Sequence, residues 1–425
     1  MARVVRRRWR NGDSGSGLPR RDRRGCEYES YVPDALMGRQ FQLTGEVAAA
    51  IAGAEAALLR LDLNARTLVD TEVLARVLLR AEAVASSRIE GLEVGARRLL
   101  HADAARTVAS SAVDVTAVEV LNNVDAMTVA LDTIQPGDDI TVDLLLEIHR
   151  RLFAGTRLAA QGGVFRSTQN WIGGSSFNPC AAAFVPPPPE LVGALLADLC
   201  AFCNTSDLPA VAQAAIAHAQ FETIHPFVDG NGRTGRVLIH LILRRRGLAR
   251  RTLPPVSLVL ATWSASYIEG LTATRYRGSP NARAAVDGVN HWIEIVAGAC
   301  ERSVVDVSNY EREVAALEAA WRLRLGPVRA NSALDVLLTM LPGAPVLTVE
   351  RAAKLLGRTF KPAAAAIERC VDAGILRQVT VGRRNRAYEA PDVIAAFTAL
   401  ERRLASPDGD TRSSEPVRPV PRGVS

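Results

Sequence analysis

Residues 225–236 bring together side chains that could bind a phosphate and accept a proton. The run reads HPFVDGNGRTGR, and apolar sequence lies on both sides of it. Gly230, Gly232 and Gly235 permit positive φ and a close backbone approach, so consecutive N–H groups can converge on an anion. We predict that Asn231 caps a helix beginning near Gly232, and such a helix start favours bound phosphate.

The charged side chains of this run have complementary roles. Arg233 and Arg236 are three residues apart and share a helix face, from which they can bind two phosphates. Asp229 would repel a bare phosphate, so we predict Mg²⁺ between its carboxylate and the substrate oxygens. His225 can accept a proton from an attacking hydroxyl. The alternative is a plain helical turn with solvated arginines, which so many reactive residue types in twelve positions disfavour.

The run resembles the signature of Fic domains, H-P-F-x-D-G-N-G-R-x-x-R, with every signature position filled. The resemblance extends from about Tyr31 to Glu301. It implies an enzyme that moves AMP from ATP onto a Ser, Thr or Tyr hydroxyl of a target protein, with Mg²⁺. Phosphorylating members carry a lysine where Gly232 stands here, and its absence favours AMP transfer.

The resemblance also implies a role for each site residue. His225 would be the general base, Asp229 would hold Mg²⁺, and Asn231 with the loop amides would hold the α-phosphate. Arg233 would face the β-phosphate and Arg236 the γ-phosphate. The expected nucleotide-binding residues are Gly230, Asn231, Gly232, Arg233, Thr234, Gly235, Arg236 and, at an aromatic position of the adenine pocket, Tyr267.

A helix predicted from about residue 68 to residue 91 ends in a second motif. Gly91 suits the left-handed position after a helix, and Glu90 lies at the unfavourable end of the helix dipole. Ser86, Glu90 and Gly91 resemble the family's inhibitory motif, S/T-x-x-x-E-G/N, which implies that Glu90 pairs with Arg236 and excludes the γ-phosphate. An exposed helix-end carboxylate is the alternative. The same glutamate could also position water for the removal of AMP from a modified target.

Residues 165–185 have two short apolar ends around a Gly/Ser-rich tip, which predicts a hairpin. The resemblance makes this hairpin the flap that docks the backbone of the target. Strand addition at an open edge would supply the binding, through Ile172, Gly173, Gly174 and Ser175. A simple surface loop is the alternative.

The remaining histidines and the cysteines favour structural roles. His149 is a lone histidine on an apolar helical face, so packing is predicted for it. His218 lies two helical turns before His225, which makes a two-histidine metal site the alternative, but no third ligand has suitable spacing and packing is favoured. The six cysteines are dispersed, and a chain of this length does not need disulfides. Cys200 and Cys203 fall within an apolar helix, so buried thiols in a reducing cytoplasm are favoured over a redox or zinc pair.

The carboxyl-terminal part resembles a winged helix. Thr348 is expected to cap one helix, a second begins at Pro362, and two β-like runs flank the arginine-rich turn 382–386. The recognition helix is alanine-rich at 363–366, so protein binding or homodimerisation is nearly as favoured as DNA binding. The alternative function is therefore a DNA-binding transcriptional regulator that uses the Fic domain as a nucleotide sensor.

The predicted fold is mainly α, a Fic-type helical bundle with a small β-hairpin flap and a winged helix-turn-helix domain. A length of 425 residues with 48% apolar and 23% charged residues is typical of a soluble globular protein of two or three domains. No apolar run has the length of a membrane span, and we expect a cytoplasmic location without membrane partners. The predicted segments are a disordered basic tail (1–30, with a nucleic-acid-binding arm as the alternative), an N-terminal helical region (31–135), a catalytic domain (136–302), a linker helix (303–328), a winged helix (329–400) and a disordered tail (405–425).

Overall fold

The computed structural model describes residues 1–10, 22, 25–64, 71–106, 114–250, 252–381 and 385–404. Its elements are mainly helical, as predicted. In chain order the helices of these residues are α1 (Gly45–Asn64), α2 (Thr71–Ile89), α3 (Ala96–Arg106), α4 (Val115–Thr133), α5 (Val142–Leu152), α6 (Val192–Cys203), α7 (Ala210–Ile224), α8 (Asn231–Arg245), α9 (Val256–Thr262), α10 (Ser264–Ala273), α11 (Arg283–Leu325), α12 (Ala333–Met340), α13 (Val349–Leu356), α14 (Phe360–Asp372) and α15 (Pro391–Leu404).

The strands of the described residues form two small antiparallel sheets. They are β1 (Arg3–Trp9), β2 (Cys26–Val32), β3 (Val346–Leu347), β4 (Arg377–Val381) and β5 (Asn385–Glu389). The first sheet pairs β1 with β2, and the second has the order β3-β5-β4. None of the described helices has the length and hydropathy needed to cross a membrane.

The chain divides into two compact units. The first contains residues 1–52, 130–247 and 265–297. Its centre is α7, an alanine-rich helix whose residues are all buried and which packs against α6 and α8. Small side chains allow this close packing because they let neighbouring backbones approach. The helix α5 is amphipathic, begins where the Thr141 hydroxyl accepts from the amide of Leu144, and buries His149.

The second unit contains residues 53–129, 248–264 and 298–425. Within it α2 packs along α9, where the buried carboxylate of Glu82 accepts hydrogen bonds from both the amide and the hydroxyl of Ser257. Ser257 lies in the first turn of α9, where the helix dipole favours a carboxylate. This contact gives α2 a polar anchor within an otherwise apolar interface.

The carboxyl-terminal elements of the second unit follow the order predicted for a winged helix. The Thr348 hydroxyl caps α13 by accepting from the amide of Arg351, as predicted, and Gly357 ends that helix with φ 58°. The apolar side chains of α12 to α15 pack around Trp321. The centre of the predicted arginine-rich wing, residues 382–384, lies outside the described residues, as does the predicted disordered tail at 405–425. The winged-helix assignment, DNA binding and dimerisation stay predictions.

Three predictions about the chain's organisation are wrong. Residues 3–9 and 26–30, predicted within a disordered tail, belong to the β1–β2 hairpin, whose second strand continues to Val32. The linker helix is not separate, since α11 runs unbroken from Arg283 until Gly326 takes φ 69°. Cys26 and Cys180 form a disulfide, although they are 154 positions apart in sequence and spacing gave no sign of it. The other cysteines, Cys200, Cys203, Cys300 and Cys370, are free and buried, as expected.

Candidate active site

His225 ends α7 in a left-handed conformation that is rare for a residue with a side chain. Its φ and ψ are 50° and 61°, and its amide donates to the carbonyl of Phe221 at 2.9 Å. Arg166 supports this turn, because its Nε donates to the His225 carbonyl at 2.8 Å and its Nη2 donates to the carbonyls of Pro187 and Ile224. A buried arginine therefore fixes the backbone that carries the predicted general base.

Two asparagines hold the loop at Phe227. Asn231 accepts from the Phe227 amide at 2.8 Å and donates to the Phe227 carbonyl at 2.9 Å, and Asn170 donates to the same carbonyl at 3.0 Å. The prediction that Asn231 caps a helix is wrong, because α8 begins at Asn231 itself and Gly230, at φ 77°, is the cap residue. The side chain of Asn231 shapes the loop, and its contact with a phosphate stays a prediction.

His149 supports the loop from α5. Its Nε2 lies 2.9 Å from the carbonyl of Asp229, and its Nδ1 lies 2.8 Å from the amide of Gly163. Since an amide can only donate and a carbonyl can only accept, the proton must sit on Nε2. The ring stacks on Phe227 at 3.6 Å, and burial lowers the pKa of His149 to about 4. His149, which was predicted to be a packed residue, thus also forms hydrogen bonds with the loop backbone.

The start of α8 presents backbone N–H groups next to His225. The first intrahelical bond runs from the amide of Thr234 to the carbonyl of Gly230, so the amides of residues 231–233 precede it. Such amides and the helix dipole favour a bound anion. The hydroxyl of Thr234 donates to the Gly230 carbonyl at 3.0 Å, so it completes the turn rather than pointing to a ligand.

The three glycines of the run were all predicted to permit positive φ, but they do not share one conformation in the structure. Only Gly230 uses that freedom, while Gly232 and Gly235 lie within α8. A Cβ on Gly235 would stand 2.7 Å from Glu222 Oε1 and 3.0 Å from Phe221, so this glycine lets α8 pack closely on α7. Gly235 therefore serves helix packing, and the nucleotide contact expected of it rests only on the resemblance.

Both arginines of the run are buried and near aromatic groups. Arg233 is 2% exposed with its guanidinium 5.3 Å from the Phe153 ring, and Arg236 is 1% exposed with Nη1 3.4 Å from the hydroxyl of Tyr267. That hydroxyl also lies 2.9 Å from Nε2 of His218, whose pKa burial lowers to about 3. The structure thus joins Tyr267 to Arg236, two residues that the sequence assigned to one nucleotide site.

Asp229 and His225 are the more accessible polar groups of the run. Asp229 is exposed, and its Oδ1 accepts from the amide of Gly230 at 2.6 Å. No group of three or more His, Cys, Asp or Glu side chains able to hold a metal occurs among the described residues. One carboxylate still fits Mg²⁺, because this ion commonly takes one or two carboxylates together with substrate phosphates. The ring of His225 lies with Nδ1 4.0 Å from Glu222 Oε2.

The predicted flap is a minimal hairpin. One bridge pairs Ile172 with Phe184, and the Ile172 amide donates to the Phe184 carbonyl at 2.8 Å. Gly173 and Gly174 both have φ 76°, and a Cβ on Gly174 would stand 2.5 Å from the carbonyl of Ala181. The hairpin prediction is therefore confirmed only as this single bridge. Docking of a target here stays a prediction.

The predicted inhibitory motif lies in the second unit. Gly91 has φ 81°, which confirms its left-handed position, and Ser86 is fully buried. Ser87 donates to the Ala83 carbonyl at 2.8 Å and fixes the last turn of α2. Glu90 follows the helix and is exposed. Its pairing with Arg236 stays a prediction.

Three structural contributors were not identified from the sequence. The sequence assigned no role to Asn170, Glu82 or Arg166. The sequence did offer one signal for two of them. Arg166 and Glu82 are charged residues within otherwise irregular or apolar segments, and a buried charge needs partners. Their partners are backbone groups or residues far along the chain, which the sequence pattern does not reveal.

Parts of this chain are similar to known proteins. Residues 139–243 match the Fic/DOC family and residues 48–132 match the Fic/DOC family N-terminal region. Protein adenylyltransferase fic-1 of Caenorhabditis elegans is 37% identical over 133 residues, which are 31% of this chain and 23% of that protein. Protein adenylyltransferase Fic of Drosophila melanogaster is 39% identical over 121 residues, which are 28% of this chain and 22% of that protein.

The chain thus spans less than a quarter of the length of these curated relatives. A solved Fic family protein from Desulfovibrio desulfuricans is 20% identical and superposes with a TM-score of 0.51, covering 82% of this chain and 97% of that one. This likeness concerns the fold alone. Residues 139–243, which include the complete 225–236 run, are therefore similar to the Fic/DOC family, and residues 48–132 are similar to the N-terminal region of that family.

Proposed function

We propose that this protein is an adenylyltransferase that moves AMP from ATP to a Ser, Thr or Tyr hydroxyl of a target protein. One observation carries the proposal. The short loop between α7 and α8 begins at His225 and leads directly to the start of α8, where backbone N–H groups are available to an anion. A proton acceptor and an anion site are thereby held next to each other. The names of the curated relatives support the same reaction class.

In the proposed reaction the hydroxyl oxygen of the target attacks the α-phosphorus of ATP. An O–P bond forms, the bond from the α-phosphorus to the bridging oxygen of the leaving diphosphate breaks, and the hydroxyl proton passes to His225. The amides at the start of α8 and the buried Arg233 and Arg236 stabilise negative charge on the phosphates, which is the main contribution a protein makes to such a transfer. Asp229 would hold Mg²⁺, which neutralises phosphate charge when bound.

Regulation by α2 is the finer part of the proposal. In it, the carboxylate of Glu90 competes with the γ-phosphate for Arg236 and keeps ATP from its productive position. The support is the motif formed by Ser86, Glu90 and Gly91.

Mass spectrometry of host proteins tests the proposed function. We expect cells that express Glu90→Gly to contain AMP adducts on Ser, Thr or Tyr of one or a few proteins. Cells that express the Glu90→Gly/His225→Ala double variant at the same level are the control and should lack these adducts. Indistinguishable proteomes from the two cultures would contradict the proposal.

A further inference from the structure

One face of the β1–β2 hairpin contacts the predicted flap (165–185) and the segment directly after it. Trp9 meets Trp171 edge-on at 5.3 Å between ring centroids, Arg7 forms an ion pair with Glu190, and Cys26 is bonded to Cys180. The Ser30 hydroxyl adds a bond to the carbonyl of Pro186 at 2.6 Å. In the strand register these residues share one face, because Arg7, Trp9, Cys26 and Ser30 are at alternating or directly paired positions.

The opposite face carries arginines at every second position. Arg6 and Arg8 lie on this face of β1, and Arg10 follows the strand directly. All three are exposed, Arg6 to 82%. Along a strand such residues are about 6.7 Å apart, at roughly 3.3 Å per residue. Glu29 and Glu27 lie across from Arg6 and Arg8. They offset part of the charge, but residues 1–10 hold five arginines and no acid, so the strand is strongly cationic.

The arginine-bearing strand is also an edge strand. In the described residues the sheet has two strands, and β1 pairs only with β2, apart from one bridge of Ala2 with Gly278. An edge strand offers backbone donors and acceptors to an added strand, although a charged edge also prevents self-association. A partner must therefore bring negative charge, at the same two-residue spacing as the arginines.

We propose that the outer edge of β1 binds an extended acidic segment of the target protein, with Asp or Glu at alternate positions facing Arg6, Arg8 and Arg10. The proposal rests on the proposed function, since the same hairpin is covalently joined to the flap. Binding there would deliver the target's backbone beside the segment 172–175. A protein segment is favoured over nucleic acid, because the backbone donors and acceptors of an open strand edge pair with another polypeptide backbone.

Peptide binding to the full-length protein tests the surface without any need for ATP. The probes are two fluorescein-labelled ten-residue peptides with one central Thr, one carrying Glu at alternate positions and the other Gln at the same positions. From two or three exposed ion pairs we expect the acidic peptide to bind about tenfold more tightly, as measured by fluorescence anisotropy. The Arg6→Glu/Arg8→Glu variant should remove this preference.

The matched control is Arg283→Glu, which changes a side chain that is 95% exposed in the same unit but outside the hairpin. Its effect on the acidic peptide should stay within about twofold. The milder Arg6→Gln/Arg8→Gln variant, checked by thermal unfolding, gives the same test if the charge reversal prevents folding.

Three results would overturn the surface. The first is equal Kd values for the two peptides, and the second is an equal loss of acidic-peptide binding in Arg283→Glu. The third is a labelled DNA oligonucleotide that binds through Arg6 and Arg8 more tightly than the acidic peptide does. A labelling assay with ATP separates this inference from the proposed function. Tight acidic-peptide binding without any AMP transfer would overturn the function alone, and AMP transfer with no preference for the acidic peptide would overturn the surface alone.

Discussion

The guanidinium of Arg166 donates from Nε to the carbonyl of His225 at 2.8 Å, and this bond ties the predicted general base to a buried cation. The same side chain reaches the carbonyls of Pro187 and Ile224. Burial lowers the pKa of Arg166 to about 10, so the group still carries its charge at neutral pH. One residue therefore joins the left-handed turn at 224–225 to the segment at Pro187.

We expect Arg166→Lys to lower the rate of AMP transfer by about 100-fold and stability by about 2 kcal/mol. A lysine is a single point charge and cannot reproduce the planar fork, so carbonyls are left without donors. Transfer from α-labelled ATP and urea unfolding measure the two effects. Arg283→Lys, at a highly exposed position, is the control and should change neither. Full activity in Arg166→Lys would show that the turn does not depend on this residue.

Because His149 is buried, we expect the stability of the folded protein to fall in acid. The pKa of His149 is about 4 in the folded protein and about 6.5 in an unfolded chain. The unfolded state therefore binds the proton first, and the contribution is complete above pH 6.5 and is lost as the pH falls towards 4. The loss is about 1.4 kcal/mol per pH unit in that window.

His149→Gln keeps a donor and an acceptor but does not titrate. Urea unfolding at several pH values should show a shallower loss of stability below pH 6.5 in this variant than in the unchanged protein. Parallel pH profiles of the two proteins would mean that His149 is not the titrating group.

Two glycines that lie in helices of the same unit should respond in opposite directions to alanine. We expect Gly235→Ala to lower stability by about 1–3 kcal/mol, because its Cβ would stand 2.7 Å from Glu222 and 3.0 Å from Phe221. A Cβ on Gly193, in α6, would meet no neighbouring element of the described chain within 4 Å, so Gly193→Ala should stabilise by up to about 1 kcal/mol. Equal effects in thermal unfolding would refute the close packing of α7 and α8.

Removal of the glutamate after α2 should activate the enzyme. We expect Glu90→Gly to raise AMP transfer by at least about tenfold, which needs roughly 1.4 kcal/mol of differential stabilisation. Because Glu90 is exposed, its loss leaves no cavity in the core. Glu93→Gly, also at an exposed position, is the control and should leave the rate unchanged. Equal rates for Glu90→Gly and the unchanged protein would exclude autoinhibition by this residue.

The sequence predicted best where local pattern and local structure coincide. The cap of α13 at Thr348, the left-handed Gly91 and the helices on both sides of residues 225–236 follow from nearby residues. The cap at Asn231 was predicted wrongly. The side-chain amide of Asn231 instead bonds to the backbone of Phe227, where it accepts from the N–H group and donates to the carbonyl.

The amino-terminal hairpin could not be predicted for a different physical reason. The strand β1 is arginine-rich and lacks the apolar–polar alternation that marks a half-buried strand, and β2 shows this alternation only over its first four residues. Contacts with Trp171, Cys180 and Pro186 stabilise the hairpin, and these residues are at least 154 positions from their partners along the chain. The Glu82–Ser257 anchor was missed for the same reason, since only the folded chain brings the two residues together.

The central claim is that His225 and the start of α8 transfer AMP rather than phosphate to a protein hydroxyl. The most direct measurement incubates Glu90→Gly and Glu90→Gly/His225→Ala with host extract, Mg²⁺ and ATP labelled at either the α- or the γ-phosphate. We predict protein-bound α label with the first variant, a loss of at least about 100-fold with the second, and equal protein-bound γ label with the two variants, because any γ label then comes from kinases of the extract. Protein-bound γ label that requires His225, or α label that persists without His225, would contradict this claim.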